Sequence, residues 1–455
     1  MNREFFKTAI LNILVFLSLI LAFNIWFDKE LWSGGYSSFV YSFENIFPFL
    51  SDDVYIENSF LSGESVHGME WIAATGSGKR SVVYFGDGEF SNLVAEIDGI
   101  KSTVTKSGTV SEVSGEDFTN VFKSSSIAIK FNTPVSLLKY FDRDSDYFDN
   151  ISPVTDLLLF TFSQDNSSIR YIYFTDNKTQ LSYRMPVKYN NGNLITLISA
   201  LSSRAPTTDY YAFELNFDKT AEGIDRILFD SFVPITTQTK SIYQAYVKPV
   251  RYNSQNSFDG VFKAFGIKKN SARSYKDTDN VLNYMENYSS LKIREDGYFV
   301  YQSDIYSKGV HIGKNDVTED VLKFANSLYQ SIVSSQNILV LKDIKENENG
   351  ETVYGLIYSD GSTNLYLDGI YGAEVTVKDG YISRYCQHVL KLEKSTDAFF
   401  TGSVIEAYDK LYNSDLQKGK ENLTIKKIFP VNFYNGEEVV LKWYVEFSDG
   451  SSDFL

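Results

Sequence analysis

Residues 7–27, KTAILNILVFLSLILAFNIWF, are an almost unbroken apolar run, with no Lys, Arg, Asp or Glu between Thr8 and Phe27. About 20 residues of helix span ~30 Å, the thickness of a bilayer core. Beyond the run the pattern changes to alternating and aromatic stretches broken by turn pairs. Asp87-Gly88, Asp98-Gly99, Asn191-Gly192, Asp296-Gly297, Asn349-Gly350, Asp360-Gly361, Asp379-Gly380, Asn435-Gly436 and Asp449-Gly450 are hairpin signals. Type I′ turns need positive φ at both central residues, which these pairs supply.

Between the turns the period selects the element. RSVVYFGDGEFSNLVAEI (80–97) and SSIRYIYFTDNKTQLSYRMPV (167–187) read as strands, and GEDFTNVFKSS (115–125) and NLITLISALSS (193–203) as short helices. FDGVFKAFG ends a short helix at Gly266, and YSSLKIREDGYFVYQS is a hairpin about Asp296-Gly297. Asp316 and Glu319 are spaced as a capping box, ahead of a buried stripe of Val321, Ala325, Leu328 and Ile332. Residues 338–369 read as a meander and 373–392 as a long hairpin. Ser403 and Glu406 cap a second amphipathic helix carrying Val404, Tyr408, Leu411 and Tyr412, and a hairpin about Asn435-Gly436 follows. KIREDGYFVY (292–301) and TVKDGYISRY (376–385) echo each other through D-G-Y.

Strand–helix–strand alternation is absent, so the fold class is α+β with mostly antiparallel sheets. The expected order is a cytoplasmic N-terminus (1–7), a transmembrane helix (8–27) and three extracytoplasmic units. These are an α+β domain (34–235), a small middle domain (240–312) and a C-terminal α+β domain (313–455).

The flanks orient the span. Arg3 and Lys7 precede it and Asp28 and Glu30 follow, which puts the N-terminus in the cytoplasm and the bulk of the chain outside. Trp26 and Phe27 fall at the outer interface. The run is longer than a signal-peptide core and AFNIWFDKE offers no small-x-small cleavage site, so the segment reads as an uncleaved signal-anchor. At 100° per residue Thr8, Leu11, Asn12, Val15, Ser18, Leu19, Ala22 and Trp26 share one face. Ser18 and Ala22 let two backbones approach closely, and Asn12 offers an interhelical hydrogen bond. Leu11, Asn12, Val15, Ser18, Leu19, Ala22 and Trp26 are therefore the expected contacts to a partner helix.

Composition narrows the chemistry. A net charge of −15 argues against nucleic acid as a partner. The one cysteine, Cys386, excludes an intrachain disulfide, and His67, His311 and His388 have no zinc-ligand spacing. ATGSGKR (74–80) superficially resembles a phosphate loop, but Ala73 and Arg80 stand where Gly and Ser or Thr are needed; it reads as a turn. No G-x-S-x-G elbow surrounds a serine. The loop acids Asp52, Asp53, Glu346, Glu348 and Glu351 read as solvated, and Cys386 as a small core residue. No catalytic residue, metal site or cofactor is expected.

The span ILNILVFLSLILAFNIW, the internal LKIREDGYFVYQS and the closing PVNFYNGEEVVLKWYVEFSDG resemble the YycH family. The stretch FDKELWSGG after Trp26 departs from the Pro- and aromatic-containing entry expected there. The resemblance implies a C-terminal part like YycI and PepSY modules. It also implies a non-catalytic, membrane-anchored regulator of a YycG/WalK-type sensor histidine kinase. Such a regulator works with a YycI-like partner through membrane-helix contacts, which here fall on the span residues Asn12, Val15, Ser18, Leu19 and Ala22. The direction of regulation and the ligand of the exterior part stay open. The alternatives are an anchored module that binds peptide, wall polymer or protein, and an anchored hydrolase.

Overall fold

The computed structural model describes residues 68–76, 78–162, 170–189, 194–204, 208–219, 227–236, 241–253, 258–286, 288–305, 309–312, 317–333, 337–347, 349–360, 364–368, 371–400, 402–414, 420 and 423–455. The span 8–27 and its expected contacts Leu11, Asn12, Val15, Ser18, Leu19, Ala22 and Trp26 lie outside the described residues. So do Asp52, Asp53, His67, Asp316, Glu348 and the Asn191-Gly192 pair. Among the described residues no helix is long and apolar enough to cross a membrane.

The first sheet holds β1 (Met69–Gly76), β2 (Lys79–Tyr84), β3 (Thr105–Lys106), β4 (Ser111–Val113), β5 (Ser126–Ser136), β6 (Val154–Thr161), β7 (Arg170–Asp176) and β8 (Leu181–Lys188). Its order is β2-β1-β5-β6-β7-β8-β3, with β4 also on β8 and every pairing antiparallel. Around it lie α1 (Phe90–Thr103), α2 (Gly115–Val121), α3 (Leu137–Tyr140) and α4 (Leu194–Arg204). One face of the sheet buries Ile72 and Ile129 against Leu93 and Ile97 of α1 and Leu194 and Ile198 of α4.

Helix α1 overturns part of the strand expected over 80–97. Strand β2 ends at Tyr84, and the chain then enters a helix whose buried positions are Phe90, Leu93, Ile97 and Ile100. That is helical spacing. Asp98-Gly99 is consequently not a hairpin turn; Gly99 lies on the solvent side of α1. The short helix expected over 115–125 forms as α2, and Ser114 Oγ accepts the Asp117 N–H at 3.1 Å as its N-cap.

A connecting region carries β9 (Tyr210–Tyr211), β10 (Leu228–Phe229), β11 (Pro234–Ile235) and β12 (Ser241–Pro249). The second sheet then uses β13 (Arg273–Lys276), β14 (Leu282–Glu286), β15 (Ser289–Ile293), β16 (Tyr298–Ser303), β17 (Val310–His311), β18 (Ile338–Glu346), β19 (Thr352–Ser359), β20 (Asn364–Leu367), β21 (Ala373–Lys378) and β22 (Tyr381–His388). Strand β23 (Leu390–Phe400) pairs with β12 as a separate ribbon, and β24 (Thr424–Tyr434), β25 (Val439–Phe447) and β26 (Ser452–Phe454) return to the sheet. The order is β13-β14-β15-β16-β22-β21-β19-β20-β24-β25-β26, with β18 on β19, β17 on β22 and β10 on β24. Only β20–β24 and β10–β24 are parallel among the described pairings. The fold is thus mixed α+β with mostly antiparallel sheets.

At strand ends the glycine takes the positive φ, but among the described pairs both central residues do so only at Asp379-Gly380, at φ +51° and +82°, so the type I′ geometry expected for all of them is not general. Gly297, Gly380, Gly436 and Gly450 all have φ between +82° and +100° and join consecutive strands. The two D-G-Y hairpins lie side by side, because β16 pairs antiparallel with β22, Tyr301 opposite Tyr385. Three further helices, α5 (Asp259–Ala264), α6 (Val317–Ile332) and α7 (Val404–Tyr412), pack on the second half. In α6 Val321, Ala325 and Leu328 are buried as the spacing predicts. Buried Asn326 ties α6 to β18, donating to Leu339 O at 2.9 Å and accepting the Leu339 N–H at 2.7 Å. The Ser403–Glu406 capping box forms at α7, and Val404, Ala407 and Leu411 are buried. Tyr412 faces solvent.

The two sheets share a core. Trp71 and Leu159 of the first pack in one cluster with Val340, Ile357, Phe429 and Tyr444 of the second.

Candidate functional site: a charged cleft between the two sheets

Beside this shared core the two sheets part around a cleft of about 630 Å³. Lys130 of β5, Asp156 of β6, Lys342, Asp343 and Lys345 of β18, Tyr366 of β20, Tyr371, Lys426 and Lys427 of β24, and Tyr444 and Glu446 of β25 line it, with Asp230. Glu70 of β1 lies behind this wall, beside Lys130 and Lys427.

Strand irregularities gather at this place. Strand β1 carries one extra residue against β5, because Met69 faces Phe131 and Trp71 faces Lys130; the extra residue is Glu70. In β18 Leu341 faces Leu356 and Asp343 faces Gly355, which leaves Lys342 unpaired in the ladder. In β24 Ile425 faces Phe447 and Lys427 faces Glu446, so Lys426 is the extra residue. Strand β5 is irregular against β6 between Lys130 and Val135, and Asn132, Thr133 and Pro134 of that stretch also line the cleft. A bulge breaks the alternation of faces and re-aims a side chain. The bulges of β1, β18 and β24 each deliver a charged residue here, Glu70, Lys342 and Lys426.

Most of the charges are paired. Lys130 Nζ lies 2.7 Å from Asp156. Burial works against both ions, but their mutual attraction outweighs it, raising the lysine and lowering the carboxyl from their ordinary values. Lys427 Nζ donates to Asn132 O at 3.1 Å and sits 3.7 Å from Glu70 and 3.6 Å from Glu446. It therefore bridges the first sheet to the second. Glu70 is buried and its Oε2 makes no hydrogen bond among the described residues. Burial pushes its carboxyl up to about 7, against the pull of Lys427 and Lys130. Lys345 pairs with Asp343 at 3.5 Å and donates to the Tyr371 hydroxyl, which donates in turn to Asp343.

Lys342 is different. No carboxylate lies within 4.0 Å of its ammonium among the described residues. Instead the ammonium sits 5.0 Å from the ring centre of Tyr444, 5.3 Å from Tyr366 and 5.4 Å from Tyr371. Burial lowers its pKa from the ordinary lysine value, and Asp343 and Glu446 offset only part of the effect. Three aromatic faces stabilise a cation without neutralising it. Lys426 likewise has no ion-pair partner among the described residues and is exposed.

The residues singled out from sequence fall elsewhere. ATGSGKR is the β1–β2 hairpin turn, with Gly78 at φ +77°. Its Arg80 points into the protein, paired with Glu214, donating to Phe122 O at 2.6 Å and lying 4.0 Å over the Tyr211 ring. That is a structural clamp. Cys386 is buried in β22, and burial pushes its thiol up to about 11. His388 is shifted down by burial, and His311 packs edge-on to Tyr381 at 5.0 Å. Glu346 is exposed. Among the described residues no group of three or more His, Cys, Asp or Glu could hold a metal ion.

The cleft residues were not foreseen. Their signal in the sequence is a charged residue that breaks the alternation of an apolar strand: Met-Glu-Trp at 69–71, Leu-Lys-Asp at 341–343 and Ile-Lys-Lys at 425–427.

The architecture is that of a two-sheet α+β protein with a charged inter-sheet cleft. The chain has a YycH-like fold: the crystal structure of YycH from Bacillus subtilis superposes with a TM-score of 0.57, covering 86% of this chain and 96% of that one at 12% identity. No protein-family model and no curated protein matches the sequence.

Proposed function

We propose that the protein is a non-catalytic, membrane-anchored regulator of a sensor histidine kinase of the YycG/WalK type, working beside a YycI-like partner. The observation that carries this reading is the likeness of fold to YycH, which extends over nearly the whole of that structure. The apolar run 8–27, with its basic cytoplasmic flank, supports a single span with the bulk of the chain outside the cell membrane. Ser18, Ala22 and Asn12 supply the close approach and the polar contact by which one span recognises another. A kinase poised between two states responds to a neighbour that packs better against one of them. A coupling of about 1–3 kcal/mol shifts its activity roughly 5–150-fold.

The test is a reporter for the kinase's target genes in cells carrying Asn12→Leu, Ser18→Leu or Ala22→Ile, with protein level checked by immunoblot. Altered expression at normal protein level is expected, as is loss of regulation when 8–27 is exchanged for an unrelated span. Unchanged regulation after the exchange would overturn the reading.

A further inference from the structure

We propose that the inter-sheet cleft binds a small organic anion, whose carboxylate or phosphate group is held between Lys342 and Lys426. This deepens the regulatory reading by giving the exterior part a ligand, and it rests on that reading for its consequence only.

The first argument is charge. The wall contains Lys130, Lys342, Lys345, Lys426 and Lys427. Asp156 neutralises Lys130, Asp343 neutralises Lys345, and Glu70 and Glu446 share Lys427. Lys342 and Lys426 remain without counter-ions among the described residues. Asp230, the other acid of the wall, is exposed and accepts the Phe232 N–H. A desolvated ammonium such as that of Lys342 is costly unless something neutralises it, and the five lysines lining the cleft outnumber its four lining acids, Asp156, Asp230, Asp343 and Glu446, in a chain of net charge −15. A metal ion does not suit this wall, whose acids are mostly engaged by lysines.

The second argument is backbone geometry, independent of charge. Lys342 and Lys426 are both the extra residues of bulges, on different strands, and they border the same cleft. Bulges are over-represented beside functional sites because they turn a side chain away from its regular face. Two regular strands would have aimed both lysines by simple alternation.

The third argument is size and lining. Ligand pockets run from about 300 to 1,000 Å³, and about 630 Å³ falls in that range. Tyr371 and Phe454, both half-buried at the cleft wall, offer flat apolar faces for the body of the ligand. The three tyrosines that now flank the Lys342 ammonium fix its position, so little rotamer freedom is lost when the anion arrives.

The experiment uses the full chain in detergent and three probes that share one ring: benzoate, phenyl phosphate and uncharged benzamide. Ligand-observed NMR titration is expected to show binding of benzoate or phenyl phosphate and none of benzamide, and the preferred anion separates a carboxylate source from a phosphate source. Lys342→Gln and Lys426→Gln should each weaken that binding about 10-fold or more, as expected for a hydrogen bond to a charged group. Lys342→Arg should retain it, which shows that the fold survives substitution there. Lys248→Gln, an exposed lysine paired with Glu393, should leave it unchanged. Equal binding of benzamide, absence of binding by both anions, or unaltered affinity in the Lys342→Gln/Lys426→Gln double variant would overturn the proposal. These outcomes are read without the kinase, so they are separable from failure of the regulatory reading.

Discussion

Replacing Glu70 by Gln should stabilise the protein above neutral pH, although it removes one partner of a cross-sheet ion pair. The carboxyl is buried and ionises in the folded protein near 7, against 4.5 in a free chain. Burial is the leading cause; Lys427 and Lys130 pull the value down, while Glu446 and Asp156 push it up. Tyr84 of β2 also feels this charge. Between pH 4.5 and 7 the folded state therefore holds a proton that the unfolded chain has released. The stabilisation this gives is complete below pH 4.5 and is lost as pH rises through 7. At about pH 8 the charged carboxylate costs the difference, which at ~1.4 kcal/mol per pH unit comes to about 3 kcal/mol. Glutamine keeps the shape and the neutral state at every pH. Differential scanning calorimetry should thus give equal Tm values for Glu70→Gln and the parent near pH 4.5, and a higher Tm for the variant near pH 8, by roughly 4 °C. A variant less stable than the parent at pH 8 would refute the reasoning. It would mean that the pair with Lys427 outweighs the cost of burying the charge.

Two further substitutions probe the fold. Gly99→Ala should raise stability by about 0.5–1 kcal/mol in denaturant unfolding, because Gly99 lies mid-helix with nothing within 4 Å of an added Cβ; a loss would contradict the helix over 90–103. Asn326→Leu should cost about 1–3 kcal/mol or more, since it leaves the buried Leu339 N–H and C=O without their side-chain partners, and hydrogen exchange at Leu339 should accelerate.

How much of this was legible depended on whether the determinant was local. The hairpins about Asp296-Gly297, Asp379-Gly380 and Asn435-Gly436 were readable because a positive-φ residue marks its own turn. The capping box at Ser403 and Glu406 was readable because its partners stand three residues apart. The segment 80–97 misled because Asp98-Gly99 imitates a turn, whereas Phe90, Leu93, Ile97 and Ile100 repeat at helical spacing and find a sheet to cover. The cleft was not readable at all. Glu70 precedes Lys342 by hundreds of residues and Lys426 follows Lys342 by scores more; only the strand order of the second sheet and its packing on the first bring them to one place. A bulge in isolation looks like a flaw in the alternation; its meaning depends on what lies opposite.

The position of β24 has a consequence for how the molecule is made. The strand joins β20 and β10, which precede it by scores to hundreds of residues, and its parallel pairs with them close long loops. Strands β1 to β8 find their partners among themselves and can assemble as soon as they emerge. Until residues 424–434 are delivered, Trp71, Leu157 and Leu159 lack Phe429, Val431 and Phe433, a large part of the second-sheet layer that covers them. A nascent molecule must therefore carry a sticky half-built layer through most of its synthesis. Helpers that shield hydrophobic surface would act on it in that interval, and stalling late in the chain would be more harmful than stalling early.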